Sequence, residues 1–151
     1  MLPLLRARGL SVSTVKHAHH GFDMDRPGKD SHRHRAAGAR EVLVSGGARW
    51  ALLHELDGPE PTLPELLRHL APVDLVLVEG FKTSPHPKIE VFRPSLGKSP
   101  LWPGRTDILA VASDDAMLDC PVPVLPLDDP AAVVAWALHG SELFDAAQHA
   151  P

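Results

Sequence analysis

Five histidines crowd the stretch STVKHAHHGFDMDRPGKDSHRHRAAGA, Ser13 to Ala39: His17, His19, His20, His32 and His34. Imidazole is a common ligand for zinc, copper or nickel, so a metal site is the first chemistry to weigh. No second cluster of cysteines or carboxylates at a familiar ligand spacing completes one, and on a helix His32 and His34 would point about 200° apart. The same stretch suits an anion for a different reason. It leaves a strand tip, turns through Gly21 and Pro27-Gly28, and enters a helix near Asp30 and Ser31. Backbone amides at a helix start, with Lys16 and Lys29 close in sequence, are the usual cradle for a phosphate, and a solvated turn is the plain alternative.

Glu79 is the sharper candidate. LVLVEG is an apolar run closed by an acid and a glycine, which puts a carboxylate at the carboxyl edge of a sheet, where a hydrated Mg²⁺ beside nucleotide phosphates would sit. The plain alternative is a surface acid at a strand end. Nucleotide binding of this type needs a G-x-x-x-x-G-K-[ST] loop. Two strings come near it. FRPSLGKSP has Phe92 at the first glycine position and Pro100 where an amide is wanted, and DMDRPGKDS has Asp23 at the first glycine and Asp30 in place of the hydroxyl. Neither is a phosphate loop.

These residues need elements to hold them, and the pattern supplies an alternation of strands and helices. LSVSTVKH (Leu10 to His17) reads as a strand, and KDSHRHRAAGA as a short helix that Gly38 ends. EVLVSG and WALLHEL form two more strands around a GGAR turn. PTLPELLRHLAP is a helix with Thr62 and Glu65 at capping-box spacing and Pro72 just beyond it. DLVLVEG, Asp74 to Gly80, is the continuous apolar run of a parallel strand covered on both faces. KIEVFR, DILAVASD and VPVLPL follow as strands, and Asp129-Pro130 opens the final helix AAVVAWALHG. MLPLLRARGL reads as a helix with Gly9 at its C′ position. The segment from Lys82 to Arg105, with prolines at 85, 87, 94, 100 and 103, is expected to be an irregular excursion carrying one strand. The sum is an α/β fold with a largely parallel sheet and flanking helices.

At 151 residues the chain fits one domain, 1–151. A net charge of −4 with interspersed signs gives no electrostatic case for nucleic acid or an anionic membrane. A single cysteine, Cys120, excludes an internal disulfide framework and fits a reducing, cytoplasmic setting. No apolar run approaches a bilayer span.

Taken in order, VKHAHHGFDMDRPGKDSHRHRAAGA, LVLVEGFK, PKIEVFR, ILAVASD and VPVLPLDDP resemble the MobB family of molybdopterin-guanine dinucleotide biosynthesis proteins, from about Leu2 into the final helix. The resemblance implies a P-loop NTPase-like fold, GTP binding with Mg²⁺, a homodimer, and a role assisting the guanylyltransferase that attaches GMP to molybdopterin, with weak GTPase activity at most. Molybdopterin itself becomes a candidate ligand. By position, Glu79 and Gly80 match the family's Walker-B-like strand end, with Glu79 toward the metal. Lys16, His17, Asp25, Lys29, Asp30 and Ser31 fall in its switch-like segment, and Ser113 and Asp114 at the strand tip near the guanine base. The histidine-rich stretch then resembles the rim of a nucleotide and pterin site, not a metal cage. Family members begin with a strand and a Gly-rich loop ahead of the LLRARGL helix. The expectation for this chain is that this first strand and phosphate loop are missing. It is then either an N-terminally shortened chain or an adapter that has lost nucleotide binding.

Overall fold

Among the described residues seven strands and four α-helices form, and they fall at the expected places. The computed structural model describes residues 1–18, 21–115 and 119–148. In chain order the elements are α1 (Leu2–Ala7), β1 (Val12–Lys16), α2 (Asp30–Ala36), β2 (Glu41–Ser45), β3 (Trp50–His54), α3 (Leu63–Leu67) and β4 (Leu75–Glu79). After these come β5 (Lys88–Phe92), a 3₁₀ turn (Pro94–Leu96), β6 (Ile108–Ser113), β7 (Val124–Pro126) and α4 (Pro130–Gln148). Local chemistry accounts for the boundaries. Asp129 accepts the amides of Ala131 and Ala132 at 3.0 and 3.1 Å and starts α4. Glu65 reaches back to the Thr62 amide at 2.8 Å and its hydroxyl at 2.7 Å to start α3. Those bonds hold the Glu65 carboxyl below its ordinary range, the Thr62 hydroxyl being the larger cause.

The strands of the described residues form three sheets, β1-β4, β2-β3 and β5-β6-β7. In the three-stranded sheet both pairings are parallel. β2 and β3 form an antiparallel hairpin in which Leu43 faces Leu52 at the centre of the ladder. The chain divides into two compact units, one of Met1–Val15, Pro72–Leu77 and Lys82–Pro151, the other of Lys16–Ala71 and Val78–Phe81.

The first unit carries the core. β6 lies between two partners, and apolar side chains cover it. Ala110 and Ala112 pack with Leu125 and Val133, against Ile89, Leu127 and Trp136. Ile108 and Val111 pack with Trp102, against Phe92, Cys120 and Val122. Leu5 of α1 is fully buried, and α1 packs on α4. The strand covered on both faces is therefore β6, whereas the sequence pattern gave that place to β4. The residues of β4 are half-buried up to Val78, because among the described residues β4 has a single strand neighbour, β1.

The excursion from Lys82 to Arg105 carries β5 and is tied down by partly buried charge. The Lys88 ammonium donates to the carbonyls of Ser84 and His86 and to the Asp107 carboxylate. Arg105 bonds Asp107 and the Lys82 carbonyl. Arg105 first, and Lys88 second, hold the Asp107 carboxyl well below the usual carboxylate range. Burial, with Lys88 beside it, pushes the His86 imidazole down. The nearly buried Glu90 carboxylate accepts the amides of Leu101 (2.8 Å) and Trp102 (3.0 Å), which pins the return of the loop onto β5.

In the second unit, α2 covers one face of the hairpin. Glu55 pairs with Arg40 next to the ladder, on the same face as Val42 and Leu53, and its carboxylate takes Arg35 Nε of α2 at 2.5 Å. No described helix is long and apolar enough to cross a membrane.

Candidate functional site

The candidate residues sort into three clusters, two in the second unit and one in the first.

The first cluster is the tip of β1 and β4. Parallel neighbours end side by side, so Lys16 and Glu79, 63 residues apart, meet as an ion pair at 2.6 Å. Both side chains are largely exposed, 69% and 71%. His17 follows. Its amide donates to the Glu79 carbonyl at 2.8 Å, its Nε2 lies 2.8 Å from the Glu60 carboxylate, and its ring stacks on Phe81 at 4.7 Å. Gly80 is required here: its φ is 90°, and a Cβ on it would stand 2.7 Å from the Cβ of His17. Phe81 takes φ 47°, a left-handed conformation that costs a bulky residue on the order of 1–3 kcal/mol and is found where a site is held in a set shape. As for the metal, a lone strand-end carboxylate such as Glu79 fits Mg²⁺ held mainly by water and phosphate oxygens, not a protein cage. Among the described residues no three His, Cys, Asp or Glu side chains gather to hold a metal. His19 and His20 lie outside the described residues.

The second cluster is built around Arg35. Its guanidinium meets Asp23 at 2.9 Å, Asp25 at 3.7 Å and Glu55 at 2.5 Å. Glu55 first, then Asp23, raise the Arg35 pKa, and the Asp25 amide followed by Arg35 lowers that of Asp23. Ser31 donates to Asp25 at 2.8 Å, so these two candidates are bound to each other. Lys29 is the N-cap of α2 and Asp30 its first residue, with Arg33 3.9 Å from the Asp30 carboxylate. The helix start therefore carries an acid of its own, which weakens it as a phosphate cradle.

The third cluster lies at the carboxyl edge of β5-β6-β7. Ser113, Asp114 and Asp115 at the end of β6, with Val124, Leu125, Pro126 and Asp128, line an open cleft of about 520 Å³. Ser113 is buried, and its hydroxyl accepts the Asp115 amide at 3.2 Å. Arg93, at the end of β5, approaches the Asp114 carboxylate at 3.4 Å. A buried hydroxyl beside several carboxylates at a strand edge can accept the ring N–H and amino donors of a purine such as guanine.

Sequence reasoning missed Glu60, Phe81, Arg35, Arg93, Asp115 and Asp128. VEGFK and KIEVFR held a signal for two of them, since an aromatic after a strand-end glycine and a cation closing a strand each stand where a neighbouring tip can be reached. Nothing in the sequence marked Glu60 or Arg35.

The family described as MobB, molybdopterin guanine dinucleotide synthesis protein B, matches residues 1–114. The chain is 41% identical over 134 residues to the molybdopterin-guanine dinucleotide biosynthesis adapter protein of Escherichia coli (strain K12), covering 85% of this chain and 75% of the relative. It is 40% identical over 117 residues to the protein of the same name from Haemophilus influenzae, covering 76% of this chain and 64% of the relative. The crystal structure of Bacillus subtilis MobB superposes with a TM-score of 0.64 at 27% identity, covering 91% of this chain and 85% of the other.

Proposed function

We infer the function from the family, for the chain belongs to MobB: it is a GTP-binding accessory protein of molybdopterin guanine dinucleotide biosynthesis, assisting the guanylyltransferase. The single observation that supports the nucleotide part is the cleft at the β6 tip, where Ser113 and Asp114 stand at the carboxyl edge of a parallel sheet. In this reading Asp114 accepts the guanine N–H donors, and Arg93 holds its carboxylate in place. Glu79, with Gly80 fixing the strand end, orders Mg²⁺ through water. Lys16, His17, Asp25, Lys29, Asp30 and Ser31 form the polar rim toward phosphate or molybdopterin. Mg²⁺ supplies charge neutralisation at the phosphates when bound. No catalytic role is assigned to any residue. The protein works in the cytoplasm, as a homodimer.

A second reading, a non-enzymatic cofactor-binding or adapter subunit without nucleotide binding, is favoured by the name its relatives carry, molybdopterin-guanine dinucleotide biosynthesis adapter protein. Calorimetric titration separates the two. In a chain carrying the family's phosphate loop, the first reading expects Mg²⁺-dependent binding of GTP in preference to ATP. Asp114→Asn should lower that preference by roughly 5- to 150-fold, since a donor pair left without its acceptor costs about 1–3 kcal/mol. Glu79→Gln should weaken binding only when Mg²⁺ is present. Binding of a purified guanylyltransferase with no heat from GTP would establish the adapter reading instead.

A further inference from the structure

The loop between β1 and α2 is turned inside out. Phe22 and Met24 are 72% and 77% exposed, whereas the Asp25 side chain is 8% exposed. That reverses the ordinary order, in which acids face water and large apolar side chains leave it. Arg35 draws the acids in. Its Nη1 donates to the Asp23 carboxylate at 2.9 Å and stands 3.7 Å from Asp25 Oδ2, a buried oxygen with no hydrogen-bond partner among the described residues. Asp25 Oδ1 accepts the Ser31 hydroxyl and the Arg26 amide, both at 2.8 Å. A buried carboxylate with one unbonded oxygen needs a cation close by, and Arg35 supplies it.

The effect is to sort the charges of the loop. From Gly21 to Ser31 the sequence sets three acids, Asp23, Asp25 and Asp30, against two cations, Arg26 and Lys29, a balance that repels an anion. Arg35 engages the first two acids, and Arg33 lies 3.9 Å from the third. Arg26 and Lys29 are exposed and have no ion partner among the described residues. The Lys29 amide donates to the Arg26 carbonyl at 3.2 Å, so one tight turn through Pro27 and Gly28 carries both cations. We propose that the side chains of Arg26 and Lys29 together bind the phosphate of an anionic ligand, and that Arg35 is the positioning residue that enables them to, by engaging Asp23 and Asp25. This rests on the reading above, in which the segment faces phosphate, and adds Arg26 and Arg35 to it, with Asp25 acting from beneath the rim. The ligand class is a phosphate ester or polyphosphate, carried by a nucleotide or by a pterin cofactor.

Titrating the isotope-labelled full chain with pyrophosphate, and following the NMR shifts of the Arg26, Gly28 and Lys29 amides, tests this. Saturable shifts are expected at the turn. Arg26→Gln combined with Lys29→Gln should raise the pyrophosphate Kd by roughly tenfold or more, since two charge-assisted contacts are lost. Arg35→Gln should raise it by roughly tenfold as well, and adding Asp23→Asn to Arg35→Gln should recover part of that loss. A residue that only holds the shape of the loop predicts the reverse, because Asp23→Asn also weakens the bond that Asp23 accepts from the Asp25 amide. If Arg35→Gln fails to fold, the exposed pair variant decides the matter. Wild-type affinity in the pair variant, or no recovery on adding Asp23→Asn, would overturn the proposal. Repeating the titration with GTP and with molybdopterin identifies the source: a loss in the pair variant for GTP alone assigns the turn to nucleotide phosphates, and a loss for molybdopterin alone to the cofactor's phosphate, each in support. Absence of any pyrophosphate shift at the turn would overturn the proposal alone, since the reading above stands or falls by the Mg²⁺-dependent GTP titration.

Discussion

Replacing Gly80 by alanine tests how the strand tip holds its shape. Two separate costs arise. At φ 90° an alanine sits in left-handed backbone, a cost of roughly 1–2 kcal/mol. The new Cβ would also stand 2.7 Å from the Cβ of His17, a distance real Cβ atoms do not keep. His17 has little room to yield, because its amide is bonded to the Glu79 carbonyl, its Nε2 to Glu60, and its ring stacks on Phe81. Overpacking of that kind adds about 1–3 kcal/mol, for a total of about 2–5 kcal/mol. Gly38→Ala is the internal control. It lies in the same unit at φ 97°, with nothing within 4 Å of its added Cβ, so it carries the backbone cost alone. In urea, with a slope of about 2 kcal/mol per molar, Gly80→Ala should lower the midpoint by about 0.5–1.5 M more than Gly38→Ala does. Removing the clashing Cβ with His17→Gly in the Gly80→Ala background should recover part of the difference. Equal losses for the two glycines would refute the idea that close approach of the β1 and β4 tips sets this position.

The other predictions concern the first unit. Glu90→Gln should cost about 1–3 kcal/mol, because its amide turns a donor toward the donors of Leu101 and Trp102, and the buried Trp102 should report the loosened loop as a red-shifted emission. An unchanged thermal midpoint would remove Glu90 as the clip of that loop. Stability should also fall with acid in two windows. Burial lowers the His86 pKa from its ordinary 6.5, so the unfolded chain binds a proton that the fold excludes, and stability is lost as pH drops below about 6.5 toward the folded value. The Asp107 carboxyl is lowered from 3.8, so its contribution is full above that value and is lost as pH falls below it. His86→Gln should erase the upper window and leave the lower one. Loss of neither window would show that burial of His86 is not what shapes the acid limb.

The elements were legible in the sequence because each depends on neighbours along the chain. Alternation, a cap and a stop residue place β1 at Val12–Lys16, α3 behind Thr62 and α4 behind Asp129 without reference to the rest of the fold. The chemical identity of Glu79, Ser113 and Asp114 as strand-end residues was legible for the same reason. Partners were not, since the contacts that give these side chains a setting join distant segments: Lys16 meets Glu79 across 63 residues, and Arg35 meets Glu55 across 20. Apolar runs showed where strands could form, but not which would be covered. LVLVEG and ILAVAS look alike as strings, and of these two, among the described residues, β6 has a strand on each side, with Trp102 and α4 residues to bury it. Phe81 makes the same point at one residue. Its left-handed backbone follows from the His17 ring and the Gly80 turn that meet it in space, and no local preference of phenylalanine leads there.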